Sequence, residues 1–373
     1  MKQARSKTVD IDHARVSSDL IDWFLQNARD LPWRRTLDPY AIWVSEIMLQ
    51  QTQVKTVIPY WEHWMKQLPT VARLAAAKEE TLLKLWEGLG YYSRVRNLQK
   101  AAREIVNDGG GTFPEQPEAI RALPGVGRYT SGAIASIAFN QPEPILDGNV
   151  IRVLSRVFAV AGDPKEKQVN ERLWALAKEL VVRTKAGVAN VKVGALVFAG
   201  QRAALNQGMM ELGATVCLPT KPECERCPLR GHCRARVAGK TGLYPQSAKR
   251  AKSSARWFQA FVVTKAGKFL IRRRDEGLVN SGFWEFPGAE VADANADPSK
   301  AFRELFGWTP DQIEAFGQLR HSITRYRFHQ SVHRVEWPVR RRMRLPESEW
   351  VTLEEIRRRP FYSPQLRLLK ELE

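Results

Sequence analysis

Four cysteines have the spacing in this chain that most directly indicates chemistry. Cys217, Cys224, Cys227 and Cys233 follow the pattern C-x6-C-x2-C-x5-C. In a reducing compartment, cysteines this close together are typical of metal or cluster ligands rather than disulfides. Four thiolates on one loop can hold a zinc ion or a four-iron cluster. Zinc usually takes two C-x2-C pairs and this stretch has one, so the spacing favours a cluster with a structural role, although zinc stays open.

A glycine-rich turn is the second candidate. In the stretch LPGVGRYTSGAIAS, Gly125, Val126 and Gly127 separate a short helical segment from an apolar one, which predicts a helix–hairpin–helix over about residues 115–137. Glycine allows backbone angles and close approaches that a Cβ would block. The N–H groups of the turn and of the second helix can then face a phosphate and grip a nucleic-acid backbone without reading bases. An ordinary tight turn between helices fits equally well.

Two acidic residues lie where their surroundings could matter. Glu46 sits in the apolar helical stretch AIWVSEIML. If that stretch is buried, desolvation would raise the pKa of the carboxyl and let it keep a proton, whereas a surface glutamate is the plain alternative. Asp147 comes directly before a helical stretch, where an aspartate is an ordinary N-cap.

The predicted elements that must position these residues divide the chain into a helical region and a region of short strands. Residues from about 18 to 235 are predicted to be mostly helical, with strand signals nearly absent. We expect a first helix capped by Ser17 or Ser18, a long helix up to about Pro59, and two short helices in TVARLAAAKEETLLKLWEGLG.

A basic stretch without acidic residues, 234–256, is predicted to be a connector that either only spaces two domains or also contacts phosphates. After it come short β-type runs, a hairpin turn at KAGK and one helix at SKAFRELFG. The predicted organisation is a helical domain over 1–233, the connector over 234–256 and an α+β domain over 257–373.

The net charge of +18 suggests a polyanionic partner, most simply nucleic acid. No long uncharged apolar run indicates a membrane span, and the polar N-terminus does not resemble a secretory signal. We therefore expect a soluble intracellular protein that has no membrane partner.

Several motifs together resemble the endonuclease III superfamily of DNA glycosylases and, within it, the MutY family of adenine DNA glycosylases. They are SEIMLQQTQV, GLGYYSR, LPGVGRYT, PILDGNV, NQGMMELGATVC and the cysteine pattern. The stretch GLVNSGFWEFPG resembles the Nudix-like 8-oxoguanine recognition domain of that family. The resemblance covers about residues 18 to 370. It implies an all-α helix–hairpin–helix glycosylase domain with a [4Fe-4S] cluster loop, followed by an α+β Nudix-like domain.

The resemblance also implies the reaction. The expected substrate is adenine paired with 8-oxoguanine or guanine in double-stranded DNA, removed in base excision repair by a monomeric protein of the bacterial cytoplasm, associated with the nucleoid. Breaking the N-glycosidic bond requires protonation of the leaving base and stabilisation of the sugar cation, which suits two carboxyl groups in different environments. By the resemblance, Glu46 protonates N7 of adenine, and Asn149 orients Asp147 or a water. Asp147 stabilises the cation electrostatically or through a transient covalent bond.

Tyr129 matches the position of the Schiff-base lysine in the lyase branch of the superfamily. A phenol cannot form an imine, so the resemblance implies a monofunctional enzyme in which Tyr129 hydrogen-bonds the catalytic groups. A tyrosine that only packs is the alternative.

Other positions match DNA contacts of the family, because the adenine must leave the base stack and residues fill the gap. Those matched to the wedge and to the orphaned base are Gln51, Thr52, Leu89 and Tyr91. Trp33 and Arg34 match the adenine pocket. Aromatic core packing is an alternative for Tyr91 and Trp33.

The sequence departs from the family at the Phe-Ser-His element that recognises 8-oxoguanine, where it has Ile323, Thr324 and Arg325. We expect recognition to be retained through the hydroxyl of Thr324. The domain is not expected to hydrolyse nucleotides, because Glu304 has no paired acidic cluster to hold magnesium.

Three other functions compete with adenine excision. A bifunctional glycosylase/lyase for oxidised pyrimidines is disfavoured by Tyr129 and by the C-terminal domain. A non-catalytic mismatch-binding protein is disfavoured by the two carboxyl groups, and a nucleotide pyrophosphatase by the missing metal ligands.

Overall fold

The computed structural model describes residues 11–246, 253–323, 325–343 and 345–372. The chain divides into a helical unit, residues 1–76 and 97–249, and a sheet unit, residues 77–96 and 250–373. The second boundary falls inside the predicted connector. Residues 77–96, which the sequence assigned to the helical domain, group with the sheet unit, where the Nη2 of Arg96 donates to the carbonyl of Ser281 and Tyr92 packs on Phe283. Thr324 lies outside the described residues.

The helices of the first part of the chain are short and joined by tight turns. They are α1 (His13–Asn27), α2 (Pro39–Leu49), α3 (Val54–Gln67), α4 (Val71–Ala76), α5 (Glu79–Leu85), α6 (Ser93–Asp108), α7 (Pro117–Ala122), α8 (Arg128–Phe139), α9 (Gly148–Val157), α10 (Lys167–Arg183), α11 (Gln201–Thr215) and α12 (Arg234–Val237). Of these, α5 belongs to the sheet unit, and the boundary at residues 96 and 97 falls inside α6.

Two helix boundaries differ from the sequence prediction. Helix α1 begins earlier, because Asp12 and not a serine is its N-cap and accepts from the N–H of Ala14 at 2.9 Å. The long helix expected up to Pro59 is two helices: Gln51 has a φ of +57°, which ends α2, and Pro59 lies inside α3. The break leaves residues 50–53 as a loop beside Glu46.

A small hairpin, β1 (Val191–Val193) and β2 (Leu196–Phe198), interrupts the helices. The prediction that strands are nearly absent from this region missed it, because strands of three residues are too short to show an alternating pattern.

The core of the helical unit is built by α1, α8, α9, α10 and α11. Close backbone contact is required at Gly132 in α8, where an added Cβ would lie 2.3 Å from the carbonyl oxygen of Pro144. Glycine at this position lets the segment that leads into Asp147 lie directly against α8.

The sheet unit contains a seven-stranded sheet. Its strands are β3 (Ser254–Lys265), β4 (Lys268–Arg273), β5 (Trp284–Glu285), β6 (Gly288–Val291), β7 (Glu314–Ile323), β8 (Tyr326–Glu336) and β9 (Ser348–Val351). The order is β5-β4-β3-β8-β7, with β6 paired to β3 and β9 to β4; β3 and β8 are parallel and the other pairs antiparallel. The predicted hairpin at KAGK joins β3 and β4 with Lys265 opposite Lys268.

The described residues that follow β3 in the chain also form α13 (Pro298–Phe306), α14 (Leu353–Arg358) and α15 (Ser363–Glu371). Only α13 was predicted. Alternate residues of β3 enter two apolar clusters, Ala260 and Val262 in one, Phe261 and Val263 in the other. No helix in the described parts of the chain is long and apolar enough to span a membrane.

Candidate active site

One cavity of about 700 Å³ in the helical unit collects most of the residues that the sequence singled out. It is lined by residues from the end of α2, the following loop, the helix–hairpin–helix turn and the start of α9, together with α11. The predicted residues that line it are Trp33, Arg34, Glu46, Gln51, Thr52, Gly125, Gly127, Tyr129, Asp147 and Asn149. The two carboxyl groups therefore share one cavity, as the proposed chemistry requires.

Glu46 is buried in α2, with 5% of its surface exposed. Its Oε2 accepts a hydrogen bond of 2.7 Å from the hydroxyl of Tyr129. Burial raises the pKa of Glu46 to about 7, the hydrogen bond from Tyr129 lowers it, and the charge of Asp147 raises it. A carboxyl group with such a pKa keeps a proton at neutral pH in a large fraction of molecules, as a general acid must.

Tyr129 lies in the first turn of α8, just after the glycine turn. Its hydroxyl is also 3.2 Å from the Sδ of Met210. Burial and the carboxyl groups of Glu46 and Asp147 raise the pKa of Tyr129 well above its usual value. The phenol therefore stays protonated and acts as a hydrogen-bond donor to Glu46.

Asp147 is the N-cap of α9, as the local pattern suggested, and it also lines the cavity. Its Oδ1 accepts from the N–H of Val150 at 2.7 Å and its Oδ2 from the amide of Asn149 at 2.9 Å. Burial raises the pKa of Asp147, and these hydrogen bonds oppose the shift. Capping and a role in the cavity are therefore compatible for one side chain.

The orientation of the Asn149 amide is fixed by a third residue. Arg152 donates from Nη2 to the Oδ1 of Asn149 at 2.9 Å and to the carbonyl of Gly213 at 2.7 Å, and from Nε to the carbonyl of Cys217 at 2.7 Å. Because the amide oxygen faces a guanidinium, the amide N–H₂ must face Asp147. Sequence reasoning missed Arg152, which follows PILDGNV and precedes the cysteines by more than sixty residues.

Arg34 lines the same cavity, but its contacts are mainly internal. Its guanidinium donates to Gln207 at 3.2 Å, to the carbonyl of Arg29 at 3.1 Å and to Glu211 at 2.9 Å. Burial alone would raise the pKa of Glu211, but the hydrogen bonds and charges of Arg29 and Arg34 lower it to about 2. Gln207 and Glu211 lie in the motif NQGMMELGATVC, which carried the resemblance without a role for its own residues.

Trp33 is buried too, with 7% of its surface exposed, and it packs edge-on against Trp61. It borders the cavity as a wall that also belongs to the core.

The glycine turn has the predicted form, with one correction. Gly125 has a φ of +76°, and an added Cβ would lie 2.6 Å from the Cβ of Asn97, so only glycine fits without strain. Gly127 is the N-cap of α8. Val126, predicted to contact DNA, is 7% exposed and its N–H already donates to the carbonyl of Leu123 at 3.1 Å. In this structure the groups open to a phosphate belong to the glycines and to the first turn of α8.

The residues matched to the wedge differ in how they are presented. Gln51 is exposed and Thr52 half-buried in the loop beside Glu46. In the sheet unit, Tyr91 is 45% exposed with a φ of +47°, and Arg94 lies 5.8 Å from its ring centroid. The side chain of Leu89 packs inward and is only 6% exposed. In this structure it is therefore not available for insertion into a duplex.

The four cysteines form no disulfide and line one small apolar cavity. The guanidinium of Arg156, itself 2% exposed, lies 3.3 Å from the Sγ of Cys217 and donates to the carbonyls of Leu218 at 2.7 Å and Pro219 at 2.9 Å. Within the described residues, no three His, Cys, Asp or Glu side chains lie close enough together to hold a single metal ion; the four cysteine side chains surround a cavity instead.

The sheet unit has a cavity of its own, about 320 Å³, to which Ile323 contributes. Phe328 stacks on His321 in its wall, and Arg325, just beyond Ile323, donates to the hydroxyl of Tyr326 at 2.9 Å. Glu304 is the only acidic residue of α13, so its helix supplies no paired carboxylates for magnesium.

The sequence matches two family models, the HhH-GPD superfamily base excision DNA repair protein over residues 44–179 and the NUDIX domain over residues 259–371. The first match contains Glu46, Tyr129 and Asp147, and the two matches fall on the two folds described above. The chain is thus a DNA glycosylase with a Nudix-like C-terminal domain.

Comparison with individual relatives narrows the class from DNA glycosylases in general to one family. The chain is 36% identical over 399 residues to the adenine DNA glycosylase of Rattus norvegicus, covering 91% of this chain and 74% of the relative. It is 49% identical over 226 residues to that of Homo sapiens, covering 58% of this chain and 38% of the relative. This chain belongs to the adenine DNA glycosylase family.

A solved structure of a thermostable thymine-DNA glycosylase shares the fold of the helical part. It is 28% identical, with a TM-score of 0.51, and covers 61% of this chain and 97% of its own. Since that protein is named for another base, the shared fold does not by itself select adenine.

Proposed function

We propose that this chain removes adenine paired with 8-oxoguanine, or with guanine, from duplex DNA by hydrolysing the N-glycosidic bond. The observation that carries the proposal is the shared cavity, in which a carboxyl group with a pKa near 7 and a second, hydrogen-bonded carboxyl group both face the same space. Membership of the adenine DNA glycosylase family supports the choice of base.

In the proposed reaction, Glu46 gives its proton to N7 of the extruded adenine. Because Oε2 accepts from Tyr129, the proton is available on Oε1. Protonation makes adenine a neutral leaving group, and the bond from C1′ to N9 breaks with its electron pair on the base. The carboxylate of Asp147 stabilises the resulting sugar cation. Water adds to C1′ and gives its proton to the carboxylate of Glu46, which restores the acid.

Extrusion of adenine costs a few kcal/mol of stacking and pairing. Gln51, exposed in the loop beside Glu46, is the residue proposed to fill the gap and offset this cost. The exposed ring of Tyr91 is proposed to stack on a base of the duplex. The burial of Leu89 means that a role for it would require the side chain to move.

The enzyme is proposed to be monofunctional. Among the described residues that line the cavity, the basic ones are arginines and none is a lysine, so no amine is placed to form an imine with the abasic sugar. We also propose that the protein acts as a monomer, as its resemblance to the family implies.

The cysteines fit a [4Fe-4S] cluster. Cys217, Cys224, Cys227 and Cys233 are four soft donors around one apolar cavity, and the buried guanidinium of Arg156 beside Cys217 can balance negative charge there. When bound, the cluster would supply a cross-link between the end of α11 and the start of α12.

A single assay tests the main proposal. A duplex with one adenine opposite 8-oxoguanine is incubated with the protein, and strand cleavage is compared with and without alkali. Cleavage only after alkali is the expected result; cleavage without alkali would indicate a lyase, and binding without any cleavage would overturn the proposal. Glu62→Gln, an exposed glutamate on α3, is the control for Glu46→Gln.

Selection of 8-oxoguanine is proposed to depend on Thr324. We expect Thr324→Ala to lower the ratio of excision rates opposite 8-oxoguanine and guanine, and Thr324→Ser to keep it, because serine retains the hydroxyl. An unchanged ratio in the alanine variant would contradict this role.

A further inference from the structure

The sheet unit has three runs of three consecutive arginines, and one of them differs from the others. The runs are Arg272–Arg274, Arg340–Arg342 and Arg357–Arg359. Their charge partners distinguish them.

In the first and third runs, carboxylates neutralise part of the charge. Arg272 and Arg274 both pair with the buried Glu285. In the third run, Arg358 pairs with Glu354, and Arg359 pairs with Glu349 at 3.1 Å and Glu80 at 3.3 Å.

The middle run has no such partner. Among the described residues, no carboxylate lies within ion-pair distance of the guanidinium groups of Arg340, Arg341 and Arg342, and the sequence from Pro338 to Leu345 contains no acidic residue. All three arginines are exposed, so three positive charges remain uncompensated on one loop between β8 and β9.

Hydrogen bonds and a contact with an aromatic ring hold this loop in a defined conformation. The indole N–H of Trp337 donates to the carbonyl of Arg341 at 3.0 Å, and the N–H of Arg341 donates to the carbonyl of Pro338 at 3.0 Å. The guanidinium of Arg341 lies 4.5 Å from the ring centroid of Trp308. The arginines are therefore held on a defined turn, which reduces the conformational entropy lost on binding.

An apolar side chain accompanies the charges. Val339 is 69% exposed, directly before Arg340. Together with three unpaired cations, it presents a surface suited to a sugar–phosphate backbone, in which charged phosphates alternate with less polar sugars.

We propose that the loop of residues 338–342 is a phosphate contact for duplex DNA in the sheet unit, separate from the helix–hairpin–helix turn. The proposal is limited to phosphate contacts, which depend on charge and not on base sequence. The inference rests on the proposed function only in taking duplex DNA as the partner.

The test is the salt dependence of binding to an undamaged duplex, measured by fluorescence anisotropy. Each phosphate contact contributes about 0.9 to the slope of log K against log salt concentration, so Arg340→Ala with Arg342→Ala is expected to flatten the slope by about 1.8. Arg341 is left in place because it packs on Trp308. Arg340→Lys with Arg342→Lys should keep most of the slope, because a phosphate accepts a point charge.

The matched control is Arg357→Ala with Arg358→Ala, which removes the same charge from exposed positions of the same unit. We expect it to change the slope by less than half as much. Equal flattening in both double variants would show an effect of net charge alone and would overturn the proposal, as would no flattening in either, or a loss with lysine as large as with alanine.

Adenine excision by the unaltered chain is measured in parallel. A chain that binds duplex DNA with the expected slopes but excises no adenine would contradict the proposed function and leave this contact standing. Normal excision with identical slopes in all variants would contradict only the contact.

Discussion

Glu46 and Glu211 line the same cavity of the helical unit and are both almost completely buried, yet their pKa values move in opposite directions. Glu46 has one neutral donor, Tyr129, and burial raises its pKa to about 7. Glu211 has two arginines, and despite burial their hydrogen bonds and charges lower its pKa to about 2. Burial fixes the cost of a charge, but the donors decide whether the charge forms.

This contrast assigns different tasks to the two ends of the cavity. The Glu46 end holds a group that can give up a proton near neutral pH. The Glu211 end holds a permanent carboxylate that keeps Arg34 in place beside the pocket. The following variants exchange or remove these properties.

The largest effect is expected for Glu46→Gln. The amide keeps the shape and can still accept from Tyr129, but it has no proton to give to adenine. Loss of general acid catalysis should lower the single-turnover excision rate by roughly 10²–10⁴-fold. Binding to the mispaired duplex should persist, and an excision rate within a few-fold of the original would remove Glu46 from the mechanism.

The variant Glu211→Gln is expected to lower the free energy of unfolding. It leaves the guanidinium of Arg34, 6% exposed, without its buried carboxylate, a change that costs about 3–5 kcal/mol. Because the folded-state pKa is depressed, the wild-type advantage is present above about pH 4.5 and is lost as pH falls towards 2. Chemical denaturation at several pH values measures it; a difference that grows towards acid pH would contradict the assignment.

The same measurement on Glu46→Gln should give the opposite sign. The folded-state pKa of Glu46 is raised from 4.5 to about 7, so ionisation destabilises the wild type as pH rises through this window. Above pH 7 the variant should be more stable by up to about 3 kcal/mol, and near pH 4 the gain should vanish. A variant less stable than the wild type at pH 8 would argue against a raised pKa.

The smallest effect is expected for Tyr129→Phe, which tests whether Tyr129 adjusts the pKa of Glu46 or mainly packs. Its hydrogen bond lowers the pKa of Glu46, so Tyr129→Phe should raise that pKa. The excision rate falls as pH rises through the pKa of Glu46, and this falling limb should move to higher pH in the variant. A limb that moves to lower pH, or stays in place, would indicate that Tyr129 mainly packs.

Much of the secondary structure could be predicted from local patterns, and the errors have local causes. The two short helices α4 and α5 and the hairpin turn between β3 and β4 occur where the sequence indicates. The prediction of one long helix up to Pro59 failed because periodicity continues across the left-handed residue Gln51. Helices α14 and α15 were not predicted, because the strand patterns in this domain are stronger than their helical patterns.

The residues of the candidate site were likewise predicted only in part. The resemblance selected Glu46, Tyr129 and Asp147, and the structure places them around one cavity. It gave no role to Arg152 or Glu211, because their importance comes from partners far away in the sequence, such as Cys217 and Arg34. Val126 and Leu89 were expected to contact DNA and are buried instead.

By itself, the sequence determined the two fold classes, the glycines of the turn and the cysteine spacing, because these depend on residue type and short spacing. Its resemblance to a known family, and not local spacing, selected the two carboxyl groups. Only the tertiary structure decided which carboxyl group keeps a proton and which charges remain uncompensated. Those properties depend on which donors and acceptors are brought within a few ångströms, and folding joins residues that the chain separates by tens to hundreds of positions.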